Sequence, residues 1–181
     1  MRIIAGQYKG REVVSTKGHT TRPTTSYNRE LIFSTLFDVT GLSVLDLFSG
    51  SGALAFEALS RGANDACLVD MSDKALSSIL LNAERFGCKE QIIVQKMKVE
   101  HFLRKTERRF DLILADPPYM KNCVNTIIRS IIERNILTED GTLVIEHSSL
   151  EPISEEFIPY MVKQKKNKKN CISFFENISN N

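Results

Sequence analysis

The spacing of apolar residues changes character along the chain. Between residues 43 and 146, short apolar runs alternate with stretches whose apolar positions recur every three or four residues. The first kind reads as buried strands and the second as amphipathic helices. Strands are expected at 43–48 (SVLDLF), 65–70 (DACLVD), 92–94, 110–115 (FDLILA) and 142–146 (TLVIE). Helices are expected from Ala53 to about Arg61, from near Ser72 to Phe86, from Glu100 to Lys105 and from Cys123 to Asn135. Gly62 and Gly87 stand where helix C-terminal caps belong. Strand–helix alternation of this kind predicts a parallel, doubly wound sheet. The end of the chain breaks the pattern. Tyr160-Met161-Val162 and Cys171–Phe175 flank the lysine-rich stretch KQKKNKK, and strands that close together make an antiparallel hairpin.

Ahead of this alternation lies a different segment. Residues 1–14 read as two short strands around a turn at Lys9-Gly10, with Arg2, Lys9 and Arg11 on the hairpin. Residues 15–23 read as loop. After Arg22-Pro23 a Thr or Ser can cap a helix. Leu31, Ile32, Leu36 and Phe37 give that helix an apolar face, so it should run to about Asp38, ahead of Gly41. No internal repeat is visible. The whole chain, 1–181, is expected to be one domain, with 1–25 as a basic N-terminal hairpin extension.

Composition narrows the class. No apolar run is long enough for a membrane helix, and the N-terminal apolar run is too short for a signal peptide. The four cysteines are scattered without a CxxC pair, and no two of the three histidines have ligand spacing. Structural zinc, a disulfide framework and a metal centre are therefore not expected, and a reducing, cytoplasmic setting fits. The charge is unevenly placed. Residues 1–30 carry six Lys/Arg against two acids, and residues 161–181 carry five Lys against one Glu. With +4 at each end and +2 in total, residues 31–160 carry −6. Two basic ends on a negative body suggest a polyanionic partner, although charge runs are also ordinary solvated surface.

Three strand ends carry candidate chemistry. The 43–48 strand holds Asp46 and runs into Ser49-Gly50-Ser51-Gly52 ahead of a helix, where nucleotide-like ligands are commonly held. Ala55 makes this a loose match to the GxGxxG dinucleotide fingerprint. The next strand ends in Asp70, 18 residues after Gly52, near the spacing at which a carboxylate grips ribose hydroxyls. Asp70 could equally cap the following helix. The 110–115 strand ends in Asp116-Pro117-Pro118-Tyr119. Two prolines cannot donate to a sheet ladder, so the strand must stop there. Asp116 and the Pro117 carbonyl could accept both N–H bonds of an exocyclic base amine, and Tyr119 could stack on the base. Alone, these four residues fit a strand-terminating turn equally well.

The combination resembles the S-adenosylmethionine-dependent amino-methyltransferases. More specifically, the chain resembles the RsmD family, bacterial enzymes that methylate the N2 amine of one guanine in 16S ribosomal RNA. The resemblance rests on MRIIAGQYKGR, RPTTSYNRELIF, LDLFSGSGALAFEALSRGA and FDLILADPPY, and spans residues 1 to about 176. It implies a Rossmann-like class I α/β methyltransferase fold: a mostly parallel seven-stranded sheet with a C-terminal antiparallel hairpin. It implies S-adenosylmethionine as cofactor, with Asp46, Phe48, Gly50, Gly52, Asp70, Met71, Lys98 and Val99 around it. Asp116, Pro117, Pro118 and Tyr119 would form the catalytic quartet. Arg2, Lys9, Arg11, Arg22 and Arg29 would be candidates for RNA contact, although Arg29 and Glu30 could instead form a structural ion pair. The expected enzyme is cytoplasmic and monomeric. It needs no metal or membrane and acts on 16S ribosomal RNA or the assembling small subunit.

The sequence departs from the family at two places. Lys98-Val99 stands where relatives often carry Asn or Asp followed by Ala, and lysine cannot accept a bond from the adenine amine. Ser26-Tyr27-Asn28 replaces a common acid-Arg-Val. Three alternatives remain open on sequence. A DNA adenine or cytosine N-methyltransferase would use the same quartet, but 181 residues leave little room for a target-recognition domain. A non-catalytic nucleic-acid-binding module with a degenerate cofactor pocket is favoured only by Lys98. A dinucleotide-dependent oxidoreductase is opposed by the imperfect glycine fingerprint.

Overall fold

The computed structural model describes residues 1–15, 26–118, 123–167 and 170–176. Twelve elements follow one another: α1 (Ser26–Thr35), β1 (Ser43–Leu47), α2 (Ala53–Ser60), β2 (Asp65–Asp70), α3 (Asp73–Phe86), β3 (Ile92–Lys96), α4 (Val99–Lys105), β4 (Phe110–Ala115), α5 (Val124–Glu133), β5 (Leu137–Ser148), β6 (Met161–Lys166) and β7 (Asn170–Glu176). The strands form one sheet in the order β3-β2-β1-β4-β5-β7-β6. The first five are parallel. β7 runs antiparallel between β5 and β6. The strand order reverses at β1, whose neighbours are β2 and β4, so the carboxyl end of β1 is a topological switch point.

Successive side chains of a strand point to opposite faces, and the core divides accordingly. Val44, Leu68, Leu112, Leu114, Val144, Ile172 and Phe174 pack with α1, α2 and α3 on one face. Leu45, Leu47, Val69, Ile113, Ile145 and Phe175 pack with α4 and α5 on the other. Both faces are covered, which is why β1, β2 and β4 read as near-continuous apolar runs.

Local chemistry sets the helix ends. Ser72 caps α3 by accepting the Ala75 N–H, and Gly87 ends it in the left-handed conformation. α1 stops at Thr35, short of the expected Asp38. The Thr35 hydroxyl donates back to the Leu31 carbonyl, and Asp38 instead closes a turn by accepting the N–H and hydroxyl of Thr40. β5 begins at Leu137, five residues before the expected start, and its pairing with β4 is interrupted between Phe110 and Leu112.

The expected N-terminal hairpin is present in reduced form. Residues 1–14 contain no full strand, but Arg2 and Glu12 form an antiparallel bridge, flanked by bonds from the Val13 N–H to the Met1 carbonyl at 2.8 Å and from the Ile3 N–H to the Arg11 carbonyl at 3.0 Å. The turn at 5–10 is bonded both to itself, through the Lys9 N–H and the Gly6 carbonyl, and to α2. Glu57, fully buried, accepts the N–H groups of Ile4 at 2.8 Å and Ala5 at 3.1 Å and pairs with Arg61. Ser60 donates to the Ala5 carbonyl at 2.5 Å and accepts the Tyr8 N–H at 2.9 Å. Gly6, at φ +80, passes so close that a Cβ there would lie 1.8 Å from the Ser60 carbonyl oxygen. Asn82, fully buried on α3, then receives and donates a bond with the backbone of Val14.

Glu57 is thus the anchor of the N-terminal segment. Glu57→Ala leaves two backbone donors without acceptors, and an unmet buried donor costs ~1–3 kcal/mol. Urea unfolding of this variant is expected to show a loss of roughly 2–4 kcal/mol. A loss within about 0.5 kcal/mol, the scale of ordinary surface substitutions, would show that the segment is not held this way.

Candidate active site

The carboxyl ends of β1, β2 and β4 lie side by side. Leu47 pairs with Val69 on one side and Ala115 on the other. The three acids expected from the sequence therefore converge: Asp46 within β1, Asp70 closing β2 and Asp116 just beyond β4.

The turn after β1 is fixed by a closed set of bonds. Phe48 leaves the strand at φ +60, an uncommon conformation for a bulky residue. The Ser49 hydroxyl donates to the Asp46 carbonyl at 2.6 Å, and its N–H donates to the Val69 carbonyl at 3.2 Å. The Gly50 N–H donates to Asp70 Oδ2 at 2.9 Å. The other oxygen of Asp70 accepts the Ser72 N–H at 2.8 Å. Gly52 sits at φ +78, and a Cβ there would meet the Phe56 ring at 2.6 Å and Leu68 at 2.9 Å. Asn82 donates to the Ser51 carbonyl at 3.1 Å, so the same amide that grips Val14 also holds the glycine turn.

Asp46 lies deeper, 1 % exposed, and its Oδ2 accepts the Ala55 N–H at 3.2 Å. Burial pushes its carboxyl up to about 8; the Ala55 bond opposes the rise, and the charges of Asp116 and Asp70 add to it. Asp46 is therefore largely a neutral acid at pH 7 in the free protein.

Asp116 is half-buried, Pro117 buried and Pro118 half-buried. The Asp116 N–H lies 3.5 Å from the Leu47 carbonyl, extending the β1–β4 ladder by one weak bond. Tyr119 lies outside the described residues, as do Arg22 and Lys168-Lys169 of the lysine stretch. Met71 is 62 % exposed beside Asp70. Lys98 is exposed at the start of α4, its carbonyl accepting N–H bonds from His101 and Phe102, while Val99 is buried. Among the described residues, no group of His, Cys, Asp and Glu is arranged to hold a metal ion. No described helix is long and apolar enough to cross a membrane.

The basic N-terminal residues fall into two groups. Arg29 is a correction: it is fully buried, not a surface cation. It donates to the Arg2 carbonyl at 2.8 Å and to the Met1 sulfur, and burial lowers its pKa while Glu57 opposes the fall. No ion pair with Glu30 forms among the described residues. Arg11 lies over the rings of Tyr8 and Phe86 and donates to the Arg85 carbonyl. Arg2 is exposed and donates to the Gly10 carbonyl at 2.8 Å; Lys9 is exposed. Tyr8 and Arg11 touch α2 and α3 at Ser60 and Arg85, in their last turns, away from the carboxyl ends of the strands. Val14, by contrast, bonds Asn82, which also holds Ser51 of the glycine turn.

Three site residues were not singled out from the sequence. Glu146, 3 % exposed near the carboxyl end of β5, accepts bonds from the Asn28 and Asn170 amides at 2.8 and 2.9 Å. Like Asp70 and Asp116, it is an acid ending an apolar strand run, which was the available signal. Asn28 is buried on α1. Asn82 falls on the buried stripe of α3 with Ala75, Ile79, Ala83 and Phe86, and a polar amide in such a stripe calls for partners.

A parallel sheet switching at β1, a glycine turn tied to an acid on β2, and an antiparallel strand inserted next to β5 together define a Rossmann-like class I methyltransferase. A solved Escherichia coli structure, "Putative methyltransferase yhhF", shares this fold at a TM-score of 0.87 and 24% identity, covering 99% of both chains. The chain belongs to the RsmD family, whose model, described as "Conserved hypothetical protein 95", matches residues 1–176. It is 38% identical over 153 residues to "Putative rRNA methyltransferase YlbH" of Bacillus subtilis (strain 168), covering 81% of this chain and 82% of the relative. It is 29% identical over 147 residues to "Ribosomal RNA small subunit methyltransferase D" of Escherichia coli (strain K12), covering 81% of this chain and 74% of the relative.

The raised acid at Asp46 gives a pH signature. Its folded pKa, about 8, lies above the ordinary carboxyl value of 3.8, so between these two the native state holds a proton the unfolded chain has released. That contribution to stability is full below pH ~4 and is lost as pH rises through about 8. Asp46→Asn keeps an acceptor for Ala55 and cannot ionise. Its melting temperature relative to the unsubstituted protein is expected to rise between pH 5 and about pH 8 and to level off above that. A difference that does not vary with pH would contradict a buried, neutral Asp46.

Proposed function

We propose that this methyltransferase moves a methyl group from S-adenosylmethionine to the exocyclic N2 amine of a guanine in 16S ribosomal RNA, in the cytoplasm. The observation that carries the reading is the convergence of Asp70 and Asp116 on either side of the β1 turn. The names of the relatives support ribosomal RNA rather than DNA as the acceptor.

The residues present fit the cofactor. Asp70 uses one acceptor position on each oxygen for Gly50 and Ser72. A carboxylate has about four such positions, so two remain for a ribose diol. Met71 is exposed where an adenine would lie against it. Lys98 cannot accept from the adenine amine, so recognition of that ring falls to apolar contact and to backbone groups. S-adenosylmethionine supplies, when bound, an electrophilic methyl group on a sulfonium.

The chain's part in the reaction is positioning and electrostatics. A guanine amine is planar, with its lone pair delocalised into the ring. The Asp116 carboxylate and the Pro117 carbonyl accept its two N–H bonds and turn the lone pair out of the ring plane. The stiff Pro117-Pro118 turn holds these acceptors at a fixed height above β4. Stacking on the base is the role that the family motif assigns to Tyr119, which lies outside the described residues. The methylated nitrogen carries an extra proton, which passes to Asp116 or to solvent. No strong general base is required.

Two substitutions separate binding from chemistry. Asp70→Ala removes charge-assisted bonds worth ~1.5–3 kcal/mol each, so titration calorimetry should show S-adenosylmethionine binding weakened tenfold or more. Unchanged affinity, or preference for NAD, would overturn the cofactor assignment. Asp116→Ala should leave cofactor affinity within about threefold while turnover on guanine-containing RNA falls on the order of 10²-fold. Normal turnover would reduce the Asp-Pro-Pro-Tyr motif to a turn.

A further inference from the structure

We infer that the edge strand β6, with Tyr27 of α1, forms the track that holds single-stranded RNA flanking the target base. This rests on the RNA acceptor proposed above and names the surface that grips it.

The sheet's register leads from the reacting end to this edge. Ala115, the residue before Asp116, pairs with Ile145, the residue before Glu146. Glu146 pairs with Ile172, and Ile172 pairs with Lys165. Residues opposed in register share a face, so Glu146, Ile172 and Lys165 form one row across the sheet. Asp116 stands at the start of that row. Neighbouring strands lie about 4.8 Å apart, so Lys165 is three steps, or roughly 14 Å, from the Asp116 position. Ile172 packs in the core cluster containing α1, α2 and α3, which puts the row on the α1 side of the sheet.

That row carries the elements of a single-strand binding surface, which pairs backbone-tracking cations with aromatic stacking platforms. Lys163, opposite Phe174, is exposed and Lys165 half-exposed on the row's face of the outermost strand, while Lys166, opposite Cys171, lies on the other face. None of the three forms an ion pair among the described residues. Tyr27 is 66 % exposed. It adjoins Asn28, whose amide reaches Glu146 in the middle of the row. Of the N-terminal cations, Arg29 is buried and Arg11 is stacked on Tyr8 and Phe86, while the exposed Arg2 and Lys9 belong to a turn packed on the last turns of α2 and α3.

Lysines on an edge strand also prevent sheet-to-sheet pairing, and the test must separate the two roles. A labelled single-stranded, guanine-containing RNA is titrated with protein at several salt concentrations, beside a gel-filtration profile. K163Q/K165Q is expected to flatten the salt dependence by roughly 1.4 log units, at ~0.7 per single-strand phosphate contact. Each single variant should flatten it by about half of that, which carries the test should the double variant not fold. Tyr27→Ala should weaken binding roughly fivefold or more with the slope unchanged, the loss of one stacked base. R104Q/K105Q, in the last turn of α4, should leave both affinity and slope as they are. An unsubstituted protein that neither binds nor methylates RNA would overturn the function itself. An active protein whose lysine variants keep their slope and affinity would overturn the track alone. So would lysine variants that self-associate while their monomeric fraction binds RNA normally.

Discussion

A single carboxylate joins the two loops on which the site depends. Asp70 accepts the Gly50 N–H with one oxygen and the Ser72 N–H with the other. The first bond shapes the turn leaving β1, and the second starts α3. The same side chain therefore closes β2, fixes the glycine turn and presents its remaining acceptor positions outward. Gly52 can complete that turn only without a side chain, because Phe56 and Leu68 fill the space a Cβ would need. Ordering this loop in advance lowers the conformational cost of binding a nucleotide-like ligand.

The N-terminal segment acts on the same loop from behind. Glu57 and Ser60 bind residues 4–8 to α2, the helix that the glycine turn opens into. Asn82 bonds both Val14 and Ser51. Arg29 completes the attachment from α1 by holding Met1 and Arg2. The segment that reads as a basic extension in the sequence thus also braces the glycine turn. In register, Lys165 of β6 stands three strands from the Asp116 position, as does Lys96 of β3, which is paired with Asp73.

The parallel core was legible because its signals are local. β2 and β4 are apolar runs closed by Asp70 and by Pro117-Pro118, and their observed limits match the expected ones. α3 was legible through its Ser72 cap and Gly87 stop. The long β5 was not, because residues 137–141 (LTEDG) carry two acids and a glycine and lack an apolar run. The N-terminal hairpin was legible only in outline. Its ends pair with each other, but Ile4, Ala5 and Tyr8 bond to Glu57 and Ser60, more than 50 residues away, and no local pattern announces such partners. Arg29 was misplaced on the same ground: a buried guanidinium depends on the carbonyl and sulfur that meet it, not on its neighbours in sequence. The three carboxylates were visible as strand-ending acids, but the protonated state of Asp46 comes from its depth below Asp70 and Asp116.

The central claim is that this carboxyl-end arrangement delivers a methyl group to the N2 amine of guanine. Its most direct test uses purified protein, S-adenosylmethionine with a labelled methyl group, and small ribosomal subunits or 16S ribosomal RNA from a strain lacking the gene. The RNA is digested to nucleosides and analysed by mass spectrometry. The account predicts label in N2-methylguanosine alone, lost with Asp116→Ala. Label in a methylated adenosine or cytidine, or in a ring-nitrogen or carbon position of guanosine, would contradict it.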